Sequence, residues 1–160
     1  NLANTAWDQE NSDILYYANK NNIYQLDLPS DKEKAILEIG PKQAKINDFI
    51  ARGNDLFLII SLDNNNYLTK LAKSQLKQTP DYNFPLENEN YRFINSTGLI
   101  TLLDQVNGQM IVLDENFKEI LTDKAKGATW SNERQEKRLL YYNDFEIITS
   151  DHHQIPSFCN

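Results

Sequence analysis

The sequence predicts an all-β repeat fold, and two observations carry this prediction. The motif Ile-Leu-Tyr-Tyr at residues 14–17 returns as Leu-Leu-Tyr-Tyr at residues 139–142, and each copy follows a tryptophan, Trp7 or Trp130. Four predicted hairpins begin at residues 13, 55, 99 and 138, so their starts are 39 to 44 residues apart. This is the period of four-stranded propeller blades. The predicted fold is a β-propeller segment of about four blades, each an antiparallel four-stranded sheet, with the last blade incomplete; it forms either a complete four-bladed ring or, as we favour, part of a larger ring of roughly six to eight blades.

Each hairpin joins the second strand of a blade to its third strand through a short polar turn. Second strands are predicted at residues 13–17, 55–61, 99–104 and 138–142, and third strands at 23–28, 67–71, 110–113 and 145–148. The turns are rich in Asn and Asp, which tolerate positive φ. Because the chain has only five glycines in 160 residues, Asn and Asp must form most of its tight turns.

The remaining strands complete the blades. First strands are predicted at residues 5–7, 46–51, 91–95 and 127–130, and fourth strands at 35–39, 76–78 and 119–121. Residues 31–34 are interpreted as a charged turn and residues 79–90 as a long polar loop. The last repeat has no recognisable fourth strand. We therefore expect one propeller domain over residues 1–160, with blades at about 4–40, 45–79, 90–122 and 126–158.

Composition excludes some classes of partner. The formal net charge of −7 opposes binding to nucleic acid and to anionic membrane surfaces. The sequence has neither a signal peptide nor an apolar run of about eighteen residues. It begins at Asn1 and stops two strands into its last repeat, so we expect an excised or processed segment, with any anchor or export signal outside it. Cys159 is the only cysteine, which excludes an intramolecular disulfide.

Residues that carry chemistry are scattered along the chain. His152 and His153 lie near Cys159, but adjacent histidines on a chain end favour a solvated tail over a zinc site. Residues 63–66, Asp-Asn-Asn-Asn, lack the spacing of a calcium loop and favour a hairpin turn. No serine lies in a Gly-x-Ser-x-Gly turn, and the glycines are too isolated for a phosphate loop. The sequence therefore predicts no catalytic residue, no metal site and no cofactor.

The repeated aromatic residues favour packing roles. Trp7 and Trp130 occupy equivalent places in two repeats, which predicts that both pack at the end of a first strand, with ligand stacking as the alternative. Each Tyr-Tyr pair alternates between the faces of a strand. One ring of each pair should therefore be buried between blades and the other more exposed.

The last repeat carries a resemblance to known families. Trp-Ser-Asn-Glu at residues 130–133, followed by Leu-Leu-Tyr-Tyr-Asn-Asp-x-Glu-Ile at residues 139–147, resembles the WD-repeat-like blades of TolB-type propellers. The chain lacks the Pro-Asp-Gly turn of that pattern. The same residues look like the propeller of PEGA-domain-containing bacterial envelope proteins. This resemblance implies an extracytoplasmic location, with membrane anchoring through a segment outside this chain.

The sequence favours a non-catalytic binding or scaffolding module over an enzyme. A rigid ring suits the docking of a protein or a small ligand on its face or rim, and no nucleic acid is expected. The alternative is a degenerate propeller enzyme, a hydrolase or lyase, whose active site draws partly on blades outside this segment. Polar side chains that converge at a central channel, such as Asp48, Arg92 and Asp104, would favour that alternative.

The predicted binding residues belong to the polar loop of the second repeat and to the strand after it. Tyr82, Phe84 and Tyr91 lie there among acidic residues and prolines. Aromatic rings on such a loop either tuck under the blade or contact a partner. We predict Tyr82, Phe84 and Tyr91 as binding residues, with packing under the blade as the alternative.

Overall fold

The computed structural model describes residues 4–8, 11–39, 44–75, 84–94, 99–131, 138–143 and 147–151. These residues form fifteen β-strands and one short 3₁₀ helix, and none of them lies in an α-helix. No described helix is long and apolar enough to cross a membrane. The chain divides into two compact units, Asn1–Glu89 and Asn90–Asn160. The all-β prediction is confirmed.

The first unit contains two four-stranded antiparallel sheets, each with its strands in sequence order. The first sheet consists of β1 (Thr5–Trp7), β2 (Ile14–Asn19), β3 (Asn22–Asp27) and β4 (Lys32–Glu38). The second consists of β5 (Lys45–Arg52), β6 (Asp55–Leu62), β7 (Asn65–Ala72) and β8 (Phe84–Leu86).

The second unit repeats this arrangement. The third sheet consists of β9 (Tyr91–Ile94), β10 (Ile100–Asp104), β11 (Gln109–Leu113) and β12 (Glu119–Lys124). The fourth consists of β13 (Gly127–Ser131), β14 (Arg138–Tyr142) and β15 (Ile147–Asp151). In the part of the chain that the structure describes, the fourth sheet therefore has three strands, as the sequence predicted for an incomplete last blade.

The hairpin turns use the residues that the sequence indicated. Lys20, between β2 and β3, has φ 57°, and Asp63 and Asn64, between β6 and β7, have φ 50° and 63°. Gly108 has φ 68° before β11. Such left-handed conformations fit two-residue hairpins because their twist matches that of the flanking strands.

Each unit has its own hydrophobic core between its two sheets. In the first unit, Ile14 and Tyr16 of β2 share a cluster of buried residues with Phe49 of β5 and Leu58 of β6. In the second unit, buried residues of the third sheet pack against buried residues of the fourth. The members of this second cluster include Leu103, Met110, Val112, Leu139, Tyr141 and Ile148.

Two predicted features of the fourth strands were wrong. Residues 32–34 are not a charged turn but the start of β4, where Lys32 pairs with Asp27 and Glu33 with Leu26. Their side chains are exposed, so the strand lacks the apolar alternation that identifies strands in a sequence. The second sheet gains its fourth strand from Phe84–Leu86, inside the predicted loop, and so extends beyond residue 79. The strand predicted at residues 76–78 lies outside the described residues.

Candidate functional site

The two Leu-Tyr-Tyr motifs differ in their strand register relative to the tryptophans that precede them. Trp7 lies opposite Leu15 in the β1–β2 pair, whereas Trp130 lies opposite Leu139 in the β13–β14 pair. By strand register Leu15 therefore corresponds to Leu139. An alignment of the two Leu-Tyr-Tyr motifs would instead match Leu15 with Leu140. Because side chains alternate between the faces of a sheet, this shift places Tyr141 on the same face as Trp130 but Tyr16 on the face opposite to Trp7.

Trp130 lies on the face of the fourth sheet that packs against the third. Its indole Nε1–H donates to Thr101 Oγ1 at 2.9 Å, and its ring packs against the core cluster of the second unit. On the same face, the buried Tyr141 hydroxyl donates to Asp123 Oδ2 at 2.8 Å. The packing role predicted for Trp130 is confirmed, because two hydrogen bonds and a shared core join these sheets.

Trp7 lies on the outward face of the first sheet, and the packing role predicted for it was wrong. Ala6, its neighbour on β1, packs against the core of the first unit, while the Trp7 side chain remains 56% exposed. The register places other apolar residues of β2 and β3 on the outward face beside it. We call this surface the aromatic face; its members are Trp7, Leu15, Tyr17, Tyr24 and Leu26.

Two tyrosines of the aromatic face form a rigid stack. The rings of Tyr17 and Tyr24 lie 5.0 Å apart between centroids with an interplanar angle of 11°. The Tyr17 hydroxyl donates to the exposed carboxylate of Glu33 on β4. This hydrogen bond, followed by burial and the charge of Glu33, raises the pKa of Tyr17 to about 12. Tyr17 is therefore neutral at physiological pH, and its ring is held in place.

The other face of the first sheet is held to the second sheet by a polar cluster. The buried Tyr16 hydroxyl donates to Asp8 Oδ2 at 2.9 Å, and Lys73 Nζ lies 2.8 Å from the same oxygen. Lys73 also lies over the Tyr16 ring, 5.6 Å from its centroid. Burial, followed by the hydrogen bond to Asp8 and the charge of Asp8, raises the pKa of Tyr16 well above its usual value. Of the first tyrosine pair, Tyr16 is thus buried and Tyr17 more exposed, as predicted.

The fourth sheet has an outward face of its own. Tyr142 is 50% exposed and Ile147, its partner on β15, is 78% exposed. Leu140 and Thr129 lie on the same face by register. We call this surface, Thr129, Leu140, Tyr142 and Ile147, the C-terminal face. The Tyr142 ring lies over Gly127 so closely that a Cβ at residue 127 would be 2.4 Å from it.

An open polar cleft of about 650 Å³ lies at one end of the second sheet. Lys45 and Glu89 form an exposed ion pair at its border, with 3.0 Å between Nζ and Oε2. Behind it, the Asn47 amide donates to Ser61 Oγ at 2.7 Å, and Ser61 donates to Asn66 Oδ1 at 2.6 Å. Four of its lining residues, Lys45, Glu89, Ser61 and Asn66, are thus engaged in an ion pair or hydrogen bonds, and no aromatic ring lines it among the residues that the structure describes. The aromatic face is the stronger candidate site.

The predicted binding residues have different surroundings. Tyr82 lies outside the described residues. Phe84 is half-buried on β8, which pairs with β7. Tyr91 is fully buried on β9, and its hydroxyl donates to Gln109, so it has no exposed surface to offer a partner in this structure. Its burial fits the packing alternative.

The polar residues of the enzyme alternative make local hydrogen bonds. The Asp48 carboxylate accepts from the backbone N–H of Phe49 at 2.9 Å, and Arg92 Nη1 donates to the carbonyl of Tyr91 at 2.6 Å. Asp104 is fully buried and accepts from the backbone of the turn before β11, at residues 106 and 107. Asp104 thus stabilises a hairpin turn. The described ranges hold no group of three or more His, Cys, Asp or Glu side chains that could bind a metal ion; residues 152–160 lie outside them.

Comparison with known proteins shows the fold. No protein-family model and no curated protein matches the chain. Solved structures do match, with TM-scores of 0.65 for the COPII outer coat vertex on membranes, 0.63 for a nidogen/laminin complex and 0.59 for the mitotic checkpoint complex. Sequence identities are 11%, 8% and 15% over 99%, 98% and 98% of this chain.

These structures are β-propeller and WD40-like proteins. The chain spans 51%, 61% and 50% of their respective lengths. The predicted propeller fold is therefore confirmed.

Sequence reasoning missed the aromatic face, because it assigned Trp7 the same packing role as Trp130.

Proposed function

We propose that this chain is a non-catalytic binding module whose aromatic face docks a protein partner. The observation that carries the proposal is the exposure of Trp7 beside the stacked Tyr17 and Tyr24 rings. Trp and Tyr are enriched among the residues that dominate binding energies at protein interfaces. Rings that are already stacked lose little conformational freedom on binding, which favours affinity.

The propeller neighbours support protein docking as the general role. The similar structures come from protein assemblies: a coat vertex, a nidogen/laminin complex and a checkpoint complex. In this chain, Asp48 and Asp104 have local structural hydrogen bonds. A scaffold that presents an aromatic surface is the simplest function that agrees with these features.

We further propose that the parent protein belongs to a bacterial cell envelope. The support is the resemblance of residues 130–147 to the propeller of PEGA-domain proteins. On this proposal the chain is extracytoplasmic, and a segment outside it anchors the protein to the membrane. The sequence that flanks this segment tests the proposal: a transmembrane helix with PEGA-like β domains supports it, and a cytosolic enzyme domain contradicts it.

The loop of the second repeat supplies a second contact in this proposal. Phe84 is half-buried on β8, and Tyr82 precedes it by two residues. Replacing both with alanine should weaken binding of the partner and lower the free energy of unfolding by no more than about 2 kcal/mol, since Phe84 is only half-buried. A large loss of thermal stability without a separate binding defect would show instead that these rings pack under the blade.

Photo-crosslinking tests the docking function directly. We would place p-benzoylphenylalanine at position 7 of the full-length parent protein in its native cells. The matched control places it at Val106, which is 75% exposed in the turn between β10 and β11. We expect a discrete protein adduct from position 7 that is absent from position 106. No adduct from position 7, or the same adducts from both positions, would overturn the proposal.

A further inference from the structure

We infer that the turn between β10 and β11 carries a deamidation site, Asn107, which Asp104 keeps unreactive while the hairpin is folded. The inference goes beyond the proposed docking function and does not depend on it. Asn107 precedes Gly108, and this is the only Asn-Gly pair in the 160-residue sequence. The Asn107 side chain is exposed, so water can reach it.

An asparagine followed by a glycine can lose its side-chain amide without an enzyme. The backbone nitrogen of the glycine gives up its proton to a base in the solvent and attacks the side-chain carbonyl carbon, Cγ. The new bond closes a succinimide ring, the Cγ–Nδ2 bond breaks, and the leaving nitrogen takes up a proton and departs as ammonia. Water then opens the ring to aspartate or isoaspartate. Glycine favours the attack because it has no side chain to crowd its own nitrogen.

In the folded hairpin, Asp104 engages both groups that would react. The Gly108 N–H donates to the Asp104 backbone carbonyl at 2.8 Å, which holds the attacking nitrogen. Asn107 Nδ2 donates to Asp104 Oδ2 at 2.7 Å, and the Asn107 backbone N–H donates to Asp104 Oδ1 at 3.0 Å. Asp104 is itself fully buried, so the sheet fixes its position. The amide and its attacking nitrogen are therefore both restrained.

The reaction thus requires the turn to open. The Gly108 N–H must leave the Asp104 carbonyl, and the Asn107 amide must leave the Asp104 carboxylate. Each such hydrogen bond contributes a small net stabilisation, and together they lower the fraction of molecules with an open turn. The strands on either side add buried Leu103 and Met110 to the core of the second unit, which makes opening of the whole hairpin rarer still.

The products of the reaction do not fit the closed turn. Aspartate at position 107 would place a second carboxylate beside Asp104 Oδ2, where the Nδ2 donor lies in the wild-type chain, and two carboxylates at that distance repel each other. Isoaspartate would add a carbon atom to the backbone between residues 107 and 108 and displace the Gly108 N–H from its acceptor. Deamidation therefore converts a transient opening of this turn into a lasting loss of stability.

Peptide mapping by mass spectrometry tests the site in the full chain. We would incubate the purified chain at mildly alkaline pH, folded in buffer or unfolded in concentrated guanidinium chloride. The conversion of amide to acid is then followed over time, with fragment ions that assign it to residue 107. Conversion should be at least about tenfold slower in the folded chain, because three hydrogen bonds must break first.

Asp104→Asn tests the role of the carboxylate, because it keeps one acceptor oxygen and loses the one that holds the Asn107 amide. The folded variant should deamidate at residue 107 several-fold faster than the folded wild-type chain, and the two unfolded chains should react at the same rate. Far-UV circular dichroism checks that the variant folds. Hydrogen exchange of the Gly108 amide in the wild-type chain needs no variant, and it should be slow.

Asn107→Asp reproduces one product, and Asn107→Ala is its matched control. Both variants lose the Nδ2 donor, and only the aspartate adds a carboxylate beside Asp104. Asn107→Asp should therefore unfold at a lower urea concentration than Asn107→Ala.

Equal conversion of Asn107 in the folded and unfolded wild-type chains would overturn the inference, as would an absence of conversion in both. So would a Gly108 amide that exchanges as fast as in the unfolded chain, or a folded Asp104→Asn variant that reacts at the wild-type rate. Equal stability of Asn107→Asp and Asn107→Ala would contradict the repulsion assigned to the product.

Discussion

Alanine at each of the two tryptophans should have very different effects on folding. Full truncation of a buried tryptophan costs about 3–5 kcal/mol. Trp130 is half-buried, so about 2 kcal/mol of that loss applies, and its hydrogen bond to Thr101 adds roughly 1 kcal/mol. We therefore expect Trp130→Ala to lower the free energy of unfolding by about 2–3 kcal/mol. Trp7 is 56% exposed, and Trp7→Ala should cost under about 1 kcal/mol.

Urea unfolding followed by far-UV circular dichroism measures this difference, because that signal does not depend on the tryptophans. The protein should be dilute enough to be monomeric, so that association does not add to stability. If the two units unfold in separate transitions, Trp130→Ala should destabilise the transition of residues 90–160. Any destabilisation by Trp7→Ala should affect the transition of residues 1–89. Equal losses, or a larger loss for Trp7→Ala, would refute the packed position of Trp130 and the exposed position of Trp7.

Two further substitutions test single contacts. The raised pKa of Tyr16 means that the unfolded chain releases this proton above a pH of about 10 while the folded chain keeps it, so stability should fall as pH rises from there. In the Tyr16→Phe variant, the free energy of unfolding measured by urea titration should fall less steeply with pH, by roughly 1 kcal/mol per pH unit. The same pH dependence in wild type and variant would contradict the buried hydroxyl. Gly127→Ala should displace the exposed Tyr142 ring and change the free energy of unfolding by under about 1 kcal/mol, because the ring can move into solvent. A much larger loss in urea titrations would contradict the exposed position of that ring.

Much of the fold could be predicted because strands repeat with apolar residues at alternate positions. β6 and β11 are strongly apolar and are bounded by Asn-, Asp- or Gly-containing turns, so their hairpins were predicted nearly to the residue. β4 begins with exposed charged residues, and β8 is three residues long and contains Pro85. Neither carries a period-two signal, because the first residues of β4 are charged and exposed and β8 is too short to show an alternation.

The candidate site was harder to predict because it depends on strand register. In the sequence Trp7 and Trp130 both precede a Leu-Tyr-Tyr motif, but the connections that follow them do not fix which residue of the next strand lies opposite. Trp130 is packed because its face lies against the third sheet, whereas the face of the first sheet that carries Trp7 is exposed. Tyr91 is buried because β9 holds it inside the third sheet, which loop composition does not indicate.

Fluorescence quenching of single-tryptophan variants tests most directly whether the first sheet presents an outward aromatic face. Trp130→Phe leaves Trp7 as the only indole, and Trp7→Phe leaves Trp130. In dilute protein, acrylamide should quench Trp7 efficiently and Trp130 poorly, with emission at longer wavelength from Trp7. Equal protection of both indoles in the dilute monomer would contradict the account.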